Sequence, residues 1–215
     1  MKKEGDRYDV SGLVEAQFER GSGGRVLRNR LGVRSRRKMD DAEAATLRTA
    51  MDALVRKYDE SHRFTAADIC SMHRLWLSGI YEWAGEYRNV NLTKDGFPFA
   101  AAAQIPSLMM QFERDVLARF TPCRFDGRKD VVSALAEVHV ELVLIHPFRE
   151  GNGRIARVLS TLMALQAGLP LLDFSLIAGR RKKDYFAAIQ AGLDRNYKPM
   201  EGILAEIIDR SLAAS

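Results

Sequence analysis

Between Asp40 and Leu212 the apolar residues recur at the spacing of one helix face, and that period predicts helices over residues 40–58, 65–76, 103–120, 128–145, 153–167, 182–193 and 200–212. Thr65 suits the N-cap of the second, because its hydroxyl can accept from the backbone of the first turn. Within the fourth, residues 134–145 (ALAEVHVELVLI) have few breakers and read as a buried helix that Pro147 forbids from continuing. His146 therefore stands at a helix end, facing a loop. Strand character is confined to residues 89–92, and Asp95-Gly96 just beyond is a hairpin-turn signal. The expected fold is all-α, a helical bundle interrupted by one small β-hairpin.

Composition adds boundaries. Residues 1–39 are rich in Gly, Ser and Arg and read as an N-terminal extension with a regulatory role open to it; residues 40–200 read as the main domain and 201–215 as a C-terminal helix packed on it. Gly21-Ser-Gly-Gly24 lacks the Gly-Lys-Ser/Thr ending of a phosphate loop and reads as a flexible linker. The net charge is +5, fed by basic clusters at residues 25–30 and 34–38. Those clusters carry no interleaved aromatics, so a solvated face or a contact with acidic surface is the reading preferred to a nucleic-acid arm. No stretch approaches the roughly 18 apolar residues that span a bilayer, and no apolar signal region follows the charged start, which makes the cytoplasm the default address. Cys70 and Cys123 have no paired spacing, so neither a zinc site nor a disulfide framework is indicated.

The chemistry concentrates in residues 146–157, HPFREGNGRIAR. The next helix opens just after the loop Glu150-Gly-Asn-Gly153, and free N–H groups at such an opening attract anions. Gly151 and Gly153 let the backbone reach positive φ and approach phosphate oxygens closely. Asn152 tolerates a left-handed conformation and offers a further donor. Arg154 and Arg157, one turn apart, can grip the same anion through their guanidinium forks. Glu150 supplies one hard oxygen, which suits Mg²⁺ held mainly by phosphates and water. His146, whose unperturbed pKa lies near neutrality, is the candidate base toward a hydroxyl acceptor.

This string resembles the Fic signature His-x-Phe-x-(Asp/Glu)-Gly-Asn-Gly-Arg-x-x-Arg at every fixed position. Residues 80–99 are similar to the Trp-Ala-Gly-x-x-Arg stretch and hairpin flap that precede it in that family, and the likeness extends over residues 40–200. The resemblance implies a Fic-type bundle and a protein adenylyltransferase, which moves AMP from ATP onto a hydroxyl side chain of a target protein. His146 would be the base, Glu150 the Mg²⁺ ligand, Gly151 to Gly153 the anion hole, and Arg154 and Arg157 the polyphosphate contacts; Phe148 looks like a core anchor. The flap residues Thr93, Lys94, Asp95, Gly96 and Phe97 would cover the nucleotide and present the target. Tyr185 resembles a position near the adenine, with a core contact as the equal alternative. A Doc-type phosphotransferase is the second reading, although such motifs often replace these glycines with Ala or Lys. A Fic enzyme using another nucleotide donor also stays open.

Regulation is less legible. Many Fic proteins are restrained by (Ser/Thr)-x-x-x-Glu-(Gly/Asn), whose Glu pairs with the second arginine, here Arg157. Ser11 and Glu15 have that spacing but Ala16 departs from it, so an inhibitory helix of the chain's own and a separate antitoxin, as in toxin–antitoxin pairs, are both open, as is a homo-oligomer. His139-x-Glu141 lacks the Pro-Cys-x-x-Cys of zinc deaminases and reads as a buried helix histidine. His62 and His73 read as structural or surface residues.

Overall fold

Helix α5 (Arg128–Ile145) forms the axis of the molecule, because its run of Val, Leu and Ala leaves it apolar on nearly every side and burial is the stable answer. Four helices cover it: α3 (Ile105–Phe112), α6 (Asn152–Gln166), α8 (Lys182–Ala191) and α9 (Lys198–Ala213). Helices α1 (Arg36–Lys57) and α2 (Ala66–Leu77) pack on each other and on α6. The computed structural model describes residues 12–179 and 181–214; among these the one sheet is an antiparallel hairpin of β1 (Thr93–Lys94) and β2 (Phe97–Pro98). The all-α expectation holds.

The helix signals worked where they had a local cause. Thr65 caps α2 through a reciprocal pair with Asp68, its hydroxyl accepting from the Asp68 N–H while the Asp68 carboxylate accepts from the Thr65 N–H. Helix α1 starts earlier than the expected residue 40, because the Ser35 hydroxyl accepts from the Lys38 N–H and supplies the cap. The expected helix over 103–120 is broken: a 3₁₀ turn (Ala102–Gln104) leads into α3, a π-helical stretch (Glu113–Leu117) follows, and α4 (Ala118–Phe120) ends it. Glu113, at the head of the π stretch, sends its carboxylate to the Ala66 N–H at 2.7 Å. A short helix, α7 (Ser175–Ala178), follows Asp173, whose carboxylate accepts from both the N–H and the hydroxyl of Ser175; four residues give no period to read.

The N-terminal segment is better integrated than its composition predicts. Phe18 pairs with Leu27 as an isolated bridge, and Gly21 to Gly24 close the turn between them, with buried Ser22 donating to the Val26 carbonyl. Val26 and Leu27 join the common core. That segment is therefore an ordered turn rather than a flexible linker. No helix among the described residues is long and apolar enough to cross a membrane.

Two histidines are locked inside. His73 on α2 and His139 on α5 are fully buried, and burial pushes their imidazoles down to about 4 and about 3. An unfolded histidine titrates near 6.5, so below that pH the unfolded chain takes up protons that the fold refuses. The neutral forms stabilise the fold fully above pH ~6.5, and that contribution is lost as the pH falls toward the folded values. Chemical denaturation between about pH 7 and 4.5 should show a midpoint that drops steadily; a midpoint constant down to about pH 5 would contradict it.

Candidate active site

The backbone at His146 is strained, and a single buried cation holds it. Helix α5 ends at His146 in the left-handed region (φ 54°, ψ 58°), which a residue with a Cβ adopts at a cost of about 1–3 kcal/mol. Arg88, 1% exposed, donates from its guanidinium to the carbonyls of His146 (2.7 Å), Val90 (2.6 Å) and Ala100 (2.6 Å), and from its backbone to Pro147 at 2.9 Å. The histidine turn and both ends of the flap therefore hang on one side chain. Sequence reasoning had given Arg88 no role; its signal was the closing Arg of the Trp-Ala-Gly-x-x-Arg stretch.

The imidazole is set for proton acceptance. Its Nδ1 lies 3.0 Å from the Val143 carbonyl, which can only accept, so Nδ1 carries the hydrogen and Nε2 keeps its lone pair. The Phe99 ring stacks on it at 3.6 Å. Burial, supported by Arg88 and Lys94 and opposed by the Val143 carbonyl and Glu150, pushes its pKa down to about 4.

The following loop is braced from below. Asn152 is buried, and its amide both donates to the Phe148 carbonyl (2.7 Å) and accepts from the Phe148 N–H (2.8 Å). Its side chain thus closes the loop instead of facing an anion, and it has helical rather than left-handed backbone; only its N–H remains for a ligand. Phe148 stacks on His73 at 3.9 Å. His73 Nδ1 accepts from the Gly85 N–H, so its Nε2–H donates to the Glu150 carbonyl at 3.1 Å. Gly151 has φ 84°, and a Cβ there would sit 2.6 Å from the Trp76 ring. Gly153 differs from expectation. It lies in the first turn of α6 with no positive φ, and a Cβ would meet nothing within 4 Å, so what it contributes is open space.

The charges divide unequally. Arg154 is pinned by buried Glu43 of α1 at 2.7 Å, reaches Glu150 at 3.3 Å and lies over the Trp76 ring. Glu43 is itself oriented by the Tyr81 hydroxyl at 2.6 Å, while its backbone carbonyl accepts from the Trp76 indole. For Glu150, burial acts against ionisation, but the Gly151 N–H, Arg154, Arg36 and Arg149 outweigh it and hold the carboxyl below its usual range. Arg157 forms no ion pair among the described residues.

These groups line a cleft in two compartments that meet at His146, Phe99, Gly153, Arg157 and Lys94. One, about 390 Å³, is walled by Ile177, Tyr185, Phe186 and Ile189 and is mostly apolar. The other, about 420 Å³, is walled by Arg36, Thr93, Arg149 and Glu150 to Arg154. Tyr185 faces the apolar compartment while its hydroxyl donates to His139 Nε2 at 2.8 Å, which is the core contact that was the alternative for it. The flap roofs the junction. Asp95 (φ 51°) and Gly96 (φ 81°) make the mirror-image turn that Asp-Gly favours, and Lys94 lies over the Phe186 ring at 4.2 Å. The strand begins at Thr93 rather than in 89–92, because the Asn89 N–H is taken by Glu15 and the Val90 carbonyl by Arg88.

Glu15 is not where an inhibitory glutamate would be. It sits in a 3₁₀ turn (Val14–Ala16), its carboxylate accepts from Asn89 at 2.7 Å, and its carbonyl accepts from Arg149 Nε at 2.8 Å. It braces the base of the flap and does not pair with Arg157; Ser11 lies outside the described residues.

A helical bundle that presents a neutral histidine and a glycine-led helix start over a divided cleft has close counterparts among known proteins. The Fic/DOC family model matches residues 63–164. The probable protein adenylyltransferase Fic of Salmonella typhimurium is 30% identical over 151 residues, covering 68% of this chain and 71% of that protein. Protein adenylyltransferase VbhT of Bartonella schoenbuchensis is 30% identical over 148 residues, covering 66% of this chain and 30% of that longer protein. The N-terminal Fic domain of a VirB-translocated Bep effector protein from Bartonella quintana, with bound ADP, superposes with a TM-score of 0.70 at 26% identity, covering 88% of this chain and 92% of that one. The chain belongs to the Fic/DOC family.

Replacing Arg88 with Met should orphan three carbonyls that have no other donor among the described residues, each costing about 1–3 kcal/mol. A loss of at least ~3 kcal/mol, or roughly 6–12 °C in the thermal midpoint, is expected. A midpoint within about 2 °C of wild type would refute the assignment of Arg88 as the brace.

Proposed function

We propose that the protein is an adenylyltransferase that moves AMP from ATP to a hydroxyl side chain of a target protein. The observation that carries this reading is the His146 imidazole, its tautomer set by Val143, in a residue that borders both an apolar and a cationic compartment. The apolar side, with Tyr185 and Phe186, suits a nucleobase, and the cationic side suits its phosphates. The names of the Salmonella and Bartonella relatives support the same activity.

In this mechanism Nε2 takes the proton of the acceptor hydroxyl as its oxygen attacks the α-phosphorus. The bond from that phosphorus to the bridging oxygen of the β-phosphate breaks, and pyrophosphate leaves with the electron pair. The N–H groups of Asn152 and Gly153, first in α6 and without a side-chain cap, are available to receive phosphate oxygens. The space left by Gly153 admits the phosphates, and Arg157 neutralises them. Among the described residues Glu150 is the one carboxylate on the wall of the polar compartment. It fits Mg²⁺ bound mainly through phosphates, and that ion would neutralise charge on the departing pyrophosphate.

The target would be presented by the flap. β1 and β2 pair only with each other among the described residues, so their outer edges are open to an extended peptide, and a cavity runs along Phe97 to Ala100. For regulation, we infer an external inhibitory helix rather than Glu15. An apolar groove lined by Leu47, Met51, Val158 and Leu171 ends at Arg154 and Arg157, open to such a helix.

ATP labelled separately at the α- and γ-phosphate, incubated with Mg²⁺, the protein and a cell lysate, tests the reaction by intact mass and label transfer. An AMP adduct carrying the α-label and absent with His146→Ala is expected. Transfer of the γ-label alone would establish a phosphotransferase in its place. Under single-turnover conditions the rate should be flat through neutrality and fall only as the pH approaches about 4, where His146 gains a proton. An acid limb near pH ~6.5 would show that the base is not this buried imidazole.

A further inference from the structure

The polar compartment holds more positive charge than the signature motif explains. Arg36, Lys94, Arg149, Arg154 and Arg157 face it, five cations in all. Carboxylates stand behind several of them, Glu43 on Arg154, Asp40 on Arg36, Asp95 by Lys94 and Glu15 by Arg149, but among the described residues only Glu150 lines the compartment itself. Arg36 and Arg149 lie outside the motif's fixed positions. Each is held by Nε: Arg36 by the Asp40 carboxylate at 2.9 Å, Arg149 by the Glu15 carbonyl at 2.8 Å. Among the described residues their terminal nitrogens have no hydrogen-bond acceptor, so each presents unspent donors from an oriented side chain. Burial strips water from Arg149, so its unspent donors make physical sense where an anion takes them, and the more exposed Arg36 offers its donors to the same space.

Their position says which part of an anion. His146, Gly153 and Arg157 border both compartments, but Arg36 and Arg149 line the polar one alone, on the side away from Tyr185 and Phe186. A ligand with its base in the apolar compartment and its α-phosphate at the junction would extend its remaining phosphates toward these two arginines. We propose that Arg36 and Arg149 are specificity-determining residues that grip the distal phosphates and make the cleft select for polyphosphate length. This deepens the adenylyltransferase reading and rests on it for the orientation of the nucleotide. Arg36 comes from the first residue of α1 and Arg149 is tied to the turn at Glu15, so the grip joins the N-terminal segment to the motif loop.

Isothermal titration of the full chain with ATP, AMP and inorganic tripolyphosphate tests the proposal. Arg36→Gln and Arg149→Gln should each weaken ATP and tripolyphosphate about five- to tenfold while AMP stays within about twofold. Arg36→Lys should recover part of the loss, since the charge returns without the fork. Arg36 is largely exposed, so its variants keep the test alive if Arg149→Gln fails to fold. ATP affinity unchanged in Arg36→Gln, or AMP weakened as much as ATP, overturns the proposal. Tripolyphosphate bound by wild type and lost in the double variant, with no nucleotide bound at all, sustains the arginine grip and removes the ATP reading. Tripolyphosphate ignored by wild type overturns the grip itself.

Discussion

A guanidinium buried without a carboxylate in direct contact is an expensive object, and the site is organised around one. Arg88 loses its hydration almost completely and recovers it from the carbonyls of His146, Val90 and Ala100, with Glu15 close enough to supply opposing charge. Because those carbonyls belong to the end of α5 and to both arms of the hairpin, satisfying the cation also sets the left-handed turn at His146 and the distance from flap to imidazole. Remove the cation and each of the three loses the reason for its geometry.

The same economy governs the layer beneath. Phe148, Asn152, His73 and Gly151 interlock: the Asn152 amide closes the loop on Phe148, Phe148 stacks on His73, His73 donates to the Glu150 carbonyl, and Gly151 passes over Trp76 with no room for a side chain. None of these side chains needs to touch a ligand. Their effect is to make the N-terminus of α6 rigid and to aim its free N–H groups at the cleft, so that little ordering is left for the moment of reaction.

The arginines illustrate how much local motif reading can and cannot resolve. Arg154 and Arg157 are equivalent by spacing, yet Glu43, more than a hundred residues upstream, claims Arg154 and leaves Arg157 to the ligand. Glu15 had the spacing of an inhibitor and turned out to brace Asn89 and Arg149, because what matters to a carboxylate is which donor the fold brings within reach. Asn152 was read as a donor to the anion and is spent on the loop. Glu43 and Asn89 are far in sequence from the residues they bind, and such partners leave no periodic trace; the Asn152 bond to Phe148 spans four residues and depends on how the loop between them closes.

The helical class, the end of α5 at Pro147, the cap at Thr65, the Asp-Gly hairpin and the segment that carries the chemistry are all legible in the order of residues. All of these depend on a residue's own conformational limits or on neighbours a few positions away. Tertiary structure alone decided the tautomer and depressed pKa of His146, the separate tasks of the two motif arginines, the role of Arg88 and the division of the cleft into apolar and cationic halves. Those properties arise from burial and from contacts between distant segments, and desolvation and Coulomb energies are set by what surrounds a group in space rather than by what precedes it along the chain.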